Sequence, residues 1–155
     1  MADNPLVGTW RLVSYCLRGS RDRVRYPYGE DARGYIIYSP DGYMAVSIMS
    51  AHRLPFAGVD ILRRTTEEAA AATRTYLSYC GTYEILPDRV VHHVELSLFP
   101  NWTGTRQERF YTIEALPSGW RLELSTVPIP PPSPPPPRAY LIWERTVEED
   151  GRGLP

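Results

Sequence analysis

Chemical reactivity in this sequence concentrates around His92. In the run Val90-Val91-His92-His93-Val94-Glu95-Leu96, the two-residue alternation of a strand places His92 on one face with Val90, Val94, Leu96 and Leu98. His93, Glu95 and Ser97 take the other face. A desolvated, neutral imidazole can act as acid or base, or donate a hydrogen bond to a bound molecule. The alternative is a core histidine satisfied by a neighbouring carbonyl or tyrosine. His92 and His93 cannot share one metal, because adjacent strand residues diverge. Cys16, Cys80 and His52 match no ligand spacing, so no metal site is expected.

A second constellation follows in Thr105-Arg106-Gln107-Glu108-Arg109-Phe110-Tyr111-Thr112. Thr105, Gln107, Arg109 and Tyr111 share one face, and Arg106, Glu108, Phe110 and Thr112 the other. Neither face is apolar, although one of them must contact the interior, which is the pattern of a polar cavity wall. Arg109 offers a planar fork to a carboxylate or carbonyl, with Gln107 beside it; the alternative is a pair facing solvent. His92 and Arg109 are therefore the candidate catalytic residues. The chain has 11 Tyr, and Tyr38, Tyr76, Tyr79, Tyr83 and Tyr111 are expected along the same cavity, each with an apolar body and a polar tip. They could equally reflect β-propensity alone. Trp102, in Pro100-Asn101-Trp102-Thr103-Gly104, reads as a lid over a barrel mouth or a corner plug. Trp10, Met44 and Trp143 complete the expected ligand-contacting set.

The elements that must position these groups are mostly strands. Aromatic and β-branched segments run over Leu6 to Leu17, Arg33 to Ser39, Tyr43 to Met49, Tyr79 to Ile85, Val90 to Phe99, Thr105 to Ile113, Trp120 to Ser125 and Arg138 to Arg145. Short turn signals separate them, such as Ser39-Pro40-Asp41-Gly42, where proline presets its φ and glycine accepts a positive one. Alternation points Trp10 and Leu12 inward, then Gly34, Ile36 and Tyr38, then Met44, Val46 and Ile48, then Trp120, Leu122 and Leu124. One helix is expected, between the third and fourth strands. It is capped by Thr65 or Thr66, opens on Glu67 and Glu68, and runs through alanines to about Leu77. Eight strands with short links predict an all-β, up-and-down antiparallel barrel with that helix inserted. Such a barrel has no exposed sheet edges, and its interior is either filled by side chains or holds one small ligand.

Composition narrows the function classes. The 155 residues are 43% hydrophobic and 23% charged, which fits one domain with a packed core from about 5 to 146 and a polar tail over 147–155. The net charge is -1, with no basic surplus for nucleic acid. All 17 basic residues are Arg, so Schiff-base and pyridoxal chemistry are excluded. No phosphate-binding loop, dinucleotide fingerprint, nucleophile elbow or His-Glu-x-x-His occurs, and no cofactor is expected. No signal-peptide pattern opens the chain and no apolar run approaches the ~18 residues of a membrane span. A cytoplasmic protein away from membranes is expected, monomeric or homodimeric, with Cys16 and Cys80 as free thiols. The proline-rich segment 127–137 reads as a stiff exposed loop.

The chain resembles the bacterial and fungal lipocalin-like domain family. Leu6-Val7-Gly8-Thr9-Trp10-Arg11-Leu12 is similar to the Gly-x-Trp start of a lipocalin's first strand. The likeness continues through Tyr26-Pro27-Tyr28-Gly29, Gly34 to Met44, Tyr79-Cys80-Gly81-Thr82-Tyr83, His92 to Glu95, Phe99 to Gly104 and Leu141-Ile142-Trp143-Glu144-Arg145. The resemblance implies a calycin-type barrel. It departs from secreted lipocalins in lacking a signal peptide and an obvious disulfide, and in carrying its helix mid-chain. The expected function is intracellular binding of a small, largely apolar molecule; a hollow of ~300 Å³ or more lined by His92 would favour a ligand reading, and a filled interior would favour a scaffold. The alternatives are a cofactor-independent cyclase or isomerase acting on a polyketide- or terpenoid-like substrate, and a scaffold with a filled interior.

Overall fold

Residues 4–127 and 136–146 are described by the computed structural model. The strands form where aromatic and β-branched residues alternate with polar ones: β1 (Gly8–Arg18), β2 (Val24–Arg25), β3 (Arg33–Tyr38), β4 (Tyr43–Met49), β5 (Tyr76–Ile85), β6 (Arg89–Ser97), β7 (Arg106–Leu116), β8 (Gly119–Thr126) and β9 (Arg138–Thr146). Neighbours pair antiparallel in the order β1-β3-β4-β5-β6-β7-β8-β9, and β9 pairs back onto β1. The result is the closed eight-stranded barrel expected from sequence. The two-residue β2, which the sequence pattern did not reveal, hangs on the end of β1 through Leu17↔Arg25 and Arg18↔Val24. With β2 counted, the helix lies between β4 and β5 rather than between the third and fourth strands.

Connection lengths divide the barrel into two ends. The turns after β3, β5 and β7 are short and lie at one end. At the other lie the long connections after β1, β4 and β6, which makes it the mouth. In the tight turn after β3, Gly42 takes φ +92°, as the turn chemistry requires. Most of the proline-rich segment and the tail 147–155 lie outside the described residues.

The helix α1 (Thr66–Arg74) begins as expected. Thr65 caps it, accepting from Glu68 N while the Glu68 carboxylate accepts from Thr65 N. It ends three residues before Leu77, and Tyr76 and Leu77 are already strand. None of its side chains is buried.

The core fills the barrel from the closed end. Trp10, Ile36, Tyr38, Val46, Ile48, Val90, Leu122 and Trp143 are among its fully or nearly fully buried members. Trp10 Nε1 donates to Leu6 O at 2.8 Å, Arg145 lies 4.5 Å over the Trp10 ring, and the Arg145 guanidinium donates to Val7 O. These contacts tie the segment before β1 to the end of β9.

Three inward assignments need correction. A bulge shifts the register between Cys80↔Leu96 and Gly81↔Val94, so β6 changes phase at Glu95. Leu96 and Leu98 consequently turn outward, with Leu96 69% exposed. Trp120 lies on the face of Leu122 and Leu124, but it pairs with Ala115 and Arg145 next to the β7–β8 turn and is 42% exposed. A second bulge, between Leu12 and Ser14, places Val13 outside and turns Tyr15 in, paired with Leu141.

Candidate functional site

The site is built around His92, which is 1% exposed and lies midway along β6, paired with Tyr83 on one side and Gln107 on the other. Tyr38 of β3 places its hydroxyl 2.7 Å from His92 Nε2, and Tyr79 of β5 places its hydroxyl 2.9 Å from Nδ1. Both ring nitrogens are therefore engaged by phenols. Of the alternatives the sequence left open, the imidazole is satisfied by tyrosines. Burial, reinforced by the Arg109 and then the His93 charge, pushes its pKa down to about 3, so it is neutral at physiological pH. Burial raises the pKa of Tyr38 and Tyr79, and the Arg109 charge pulls the other way on both. Both phenols stay protonated.

Of the expected polar wall on β7, Arg109 lines the inner cavity and Gln107 does not. Gln107 Nε2 donates to Thr105 Oγ1 at 3.1 Å. Arg109 donates through Nη2 to Gln107 Oε1 at 3.3 Å and through Nη1 to the Glu108 carbonyl at 2.8 Å. The guanidinium therefore lies along the inner wall.

A cavity of about 40 Å³ adjoins this wall. His92, Tyr79, Arg109, Trp102, Trp143 and Tyr15 line it, with aliphatic side chains from β3, β4, β8 and β9. The volume is far below the ~300 Å³ hollow expected of a ligand-binding barrel, because the large aromatic side chains take up most of the interior, as expected of a scaffold. Trp102 sits in a short 3-10 turn, Pro100–Trp102, at the mouth. Its ring stands edge-on to Tyr79 at 5.7 Å and to Phe99 at 5.4 Å. Trp102 thus closes the inner cavity from the long-loop end.

The other expected contacts separate by position. Trp10 and Met44 are buried in the core away from this cavity. Tyr83 seals the short-turn end, donating to Ser39 O at 2.9 Å and accepting from Asn4 Nδ2 at 2.7 Å, with its ring edge on Tyr38. Tyr111 is half-buried against the core. Tyr76 is the misplaced member. Three residues before the inward-facing Tyr79, it points outward, lies under Arg53 and borders an outer groove of about 540 Å³ with Arg11, Arg33 and Tyr35. Sequence reasoning missed Tyr15, since only the bulge at Val13 brings it inside.

Among the described residues no group of three or more His, Cys, Asp or Glu side chains gathers to hold a metal. No helix among them is long and apolar enough to cross a membrane. Cys16 is buried, Cys80 is half-buried and neither is in a disulfide.

The closed barrel, with its Gly-x-Trp entry strand tied to Arg145, agrees with a comparison to known families: the model of the lipocalin-like domain matches residues 7–146. The chain belongs to the lipocalin-like domain family. It is also 38% identical over 111 residues to the 4'-hydroxy-3'-methoxypropiophenone carrier protein ppsC of Aspergillus oryzae, a match covering 66% of this chain and 96% of that relative.

Proposed function

We propose that this barrel binds and carries a small, largely apolar molecule inside the cell, with the ligand seated against the wall formed by Tyr79, His92 and Arg109. The observation that carries this reading is the gathering of polar groups on one side of an otherwise apolar interior, the usual layout of a small-molecule site. The relative's name adds support, since it describes a carrier of an aryl ketone. The unbonded cysteines suit a reducing compartment.

A cavity of 40 Å³ holds a water molecule, not an aryl ketone. Uptake therefore requires the mouth to open. Trp102 is the side chain whose withdrawal joins the cavity to the long-loop end. Carriage is favoured over cyclisation or isomerisation, because both nitrogens of His92 are occupied by phenols and no free imidazole lone pair meets a substrate.

The test is a calorimetric titration of the purified protein with 4'-hydroxy-3'-methoxypropiophenone, together with native mass spectrometry of protein isolated from its own host. Saturable one-to-one binding, or a co-purified small molecule, is expected. Absence of both would end the carrier reading.

A further inference from the structure

The hydrogen-bond inventory of the cavity is unbalanced. A neutral imidazole has one N–H and one lone pair. Of the two phenols on His92, one therefore donates to the bare nitrogen and the other accepts from the N–H. The accepting phenol keeps a proton that has no acceptor among the described residues. Tyr79 lines the cavity and Tyr38 does not, so the arrangement that leaves the spare proton in open space has Tyr38 donating to Nε2 and Nδ1–H donating to Tyr79.

Two further donors belong to the same lining. The Trp143 indole Nε1–H is fully buried and has no hydrogen-bond partner among the described residues. Among the described residues the half-buried Arg109 guanidinium bonds only to neutral oxygens, Gln107 Oε1 and Glu108 O, and no carboxylate lies within ion-pair distance of it. The charged and titratable groups facing the cavity are Arg109 from β7, His92 from β6, Tyr79 from β5 and Tyr15 from β1, with Tyr38 of β3 behind His92; no Asp or Glu is among the lining residues. Among the described residues the site thus offers spare donors and one positive charge with no carboxylate beside it.

We propose that the barrel holds its ligand as an oxyanion, a phenolate or carboxylate, with the negative oxygen received by Arg109, the Tyr79 hydroxyl and the Trp143 indole N–H. This rests on the binding function proposed above and specifies its chemistry. Orphan donors in a closed, largely apolar cavity are costly, and an anionic acceptor that also pairs with the half-buried Arg109 removes that cost. A phenol conjugated through its ring to a carbonyl suits the site well, because its anion spreads over an otherwise apolar body. On binding, the phenol proton passes to solvent, so no further reactant is needed.

The experiment is a spectrophotometric pH titration of 4'-hydroxy-3'-methoxypropiophenone, free and protein-bound, reading the long-wavelength phenolate band. Its 4'-methyl ether, which cannot ionise, serves as the companion probe. The bound phenol is expected to ionise at least one pH unit lower than the free one, a tenfold or greater preference for the anion. Arg109→Gln should remove most of that shift. A bound phenol that ionises at or above the pH of the free one would overturn the oxyanion assignment and leave the carrier reading standing. A shift that survives Arg109→Gln would place the oxyanion elsewhere, the outer groove beside Arg11 and Arg33 included, and would also overturn it. If neither probe binds, the carrier reading itself falls. Should Arg109→Gln not fold, the wild-type shift decides whether the anion is held, and Tyr79→Phe replaces it as the variant that must reduce the shift.

Discussion

The carbonyl oxygen of His93 occupies the space where a side chain on Gly81 would begin: a β-carbon there would lie 1.9 Å from that oxygen and 2.9 Å from Glu95 N. The contact belongs to the bulge at which β6 changes phase against β5. On one side of the bulge Tyr83 faces His92, and on the other Tyr79 faces Ser97. The glycine therefore sets the offset that lets Tyr79 reach back to the His92 ring. Close backbone approach, and not conformational freedom, is what requires glycine at this position.

Gly81→Ala should accordingly destabilise the barrel by about 1–3 kcal/mol or more, since backbone must move to admit the methyl group. Gly58→Ala is the control. There a β-carbon comes no nearer than 3.9 Å to any atom and φ is not positive, so a change within ~0.5 kcal/mol is expected. Urea unfolding of both variants checks this. Equal stabilities for the two would show that the β5–β6 register does not depend on Gly81.

His92 makes the folded state sensitive to acid. Its folded pKa, about 3, lies below the ordinary 6.5, so between those values the unfolded chain takes up a proton that the folded chain refuses. Stability must fall as pH drops below about 6.5, with a limiting slope of about 1.4 kcal/mol per pH unit from this group. Glutamine offers a donor and an acceptor without titrating. In His92→Gln the stability lost between pH 6.5 and 4.5 should shrink by about 2–3 kcal/mol relative to wild type. Chemical denaturation at both pH values measures the difference, and parallel losses in the two proteins would rule out His92 as the sensitive group.

The inner faces of β3 and β4 and the inward turns of His92 and Arg109 were legible because two-residue alternation survives wherever a strand is regular. It fails at bulges. Val13 and Glu95 each insert one residue, and every side chain beyond them changes face, so Tyr15 came in and Leu96 went out with no local signal to mark the switch. Gly81 is the nearest thing to a signal, a glycine inside a strand pattern. Tyr76 was misread because helix and strand meet at Thr75, and its face depends on which of the two claims it. The degree of filling was not legible either. It is set by Trp10, Tyr38, Trp102 and Trp143, which come from four separate elements, and whether such rings leave a hollow is decided by three-dimensional packing.

The helix should melt without the barrel. Thr65→Ala removes the oxygen that accepts from Glu68 N and costs the helix about 1 kcal/mol. Since α1 buries no side chain, the barrel loses almost nothing when it frays. Amide hydrogen exchange over residues 66–74 should accelerate about fivefold, while the urea midpoint stays within error. A clear drop in the midpoint would mean that the helix supports the barrel.

Trp102 is expected to limit the rate at which ligand enters. Its ring is half-buried and bears edge-on against Tyr79 and Phe99, so withdrawing it breaks two aromatic contacts of about 0.5–1.5 kcal/mol each beyond their buried area. That sum is the least that opening costs, and it corresponds to a closed population outnumbering the open one by about five to a hundred and fifty. Trp102→Ala removes the obstruction permanently. Association of 4'-hydroxy-3'-methoxypropiophenone should become at least about fivefold faster in stopped-flow, while the protein loses about 1–3 kcal/mol of stability, less than truncation of a fully buried tryptophan. An unchanged association rate would mean that ligand enters the barrel by a route that bypasses this ring.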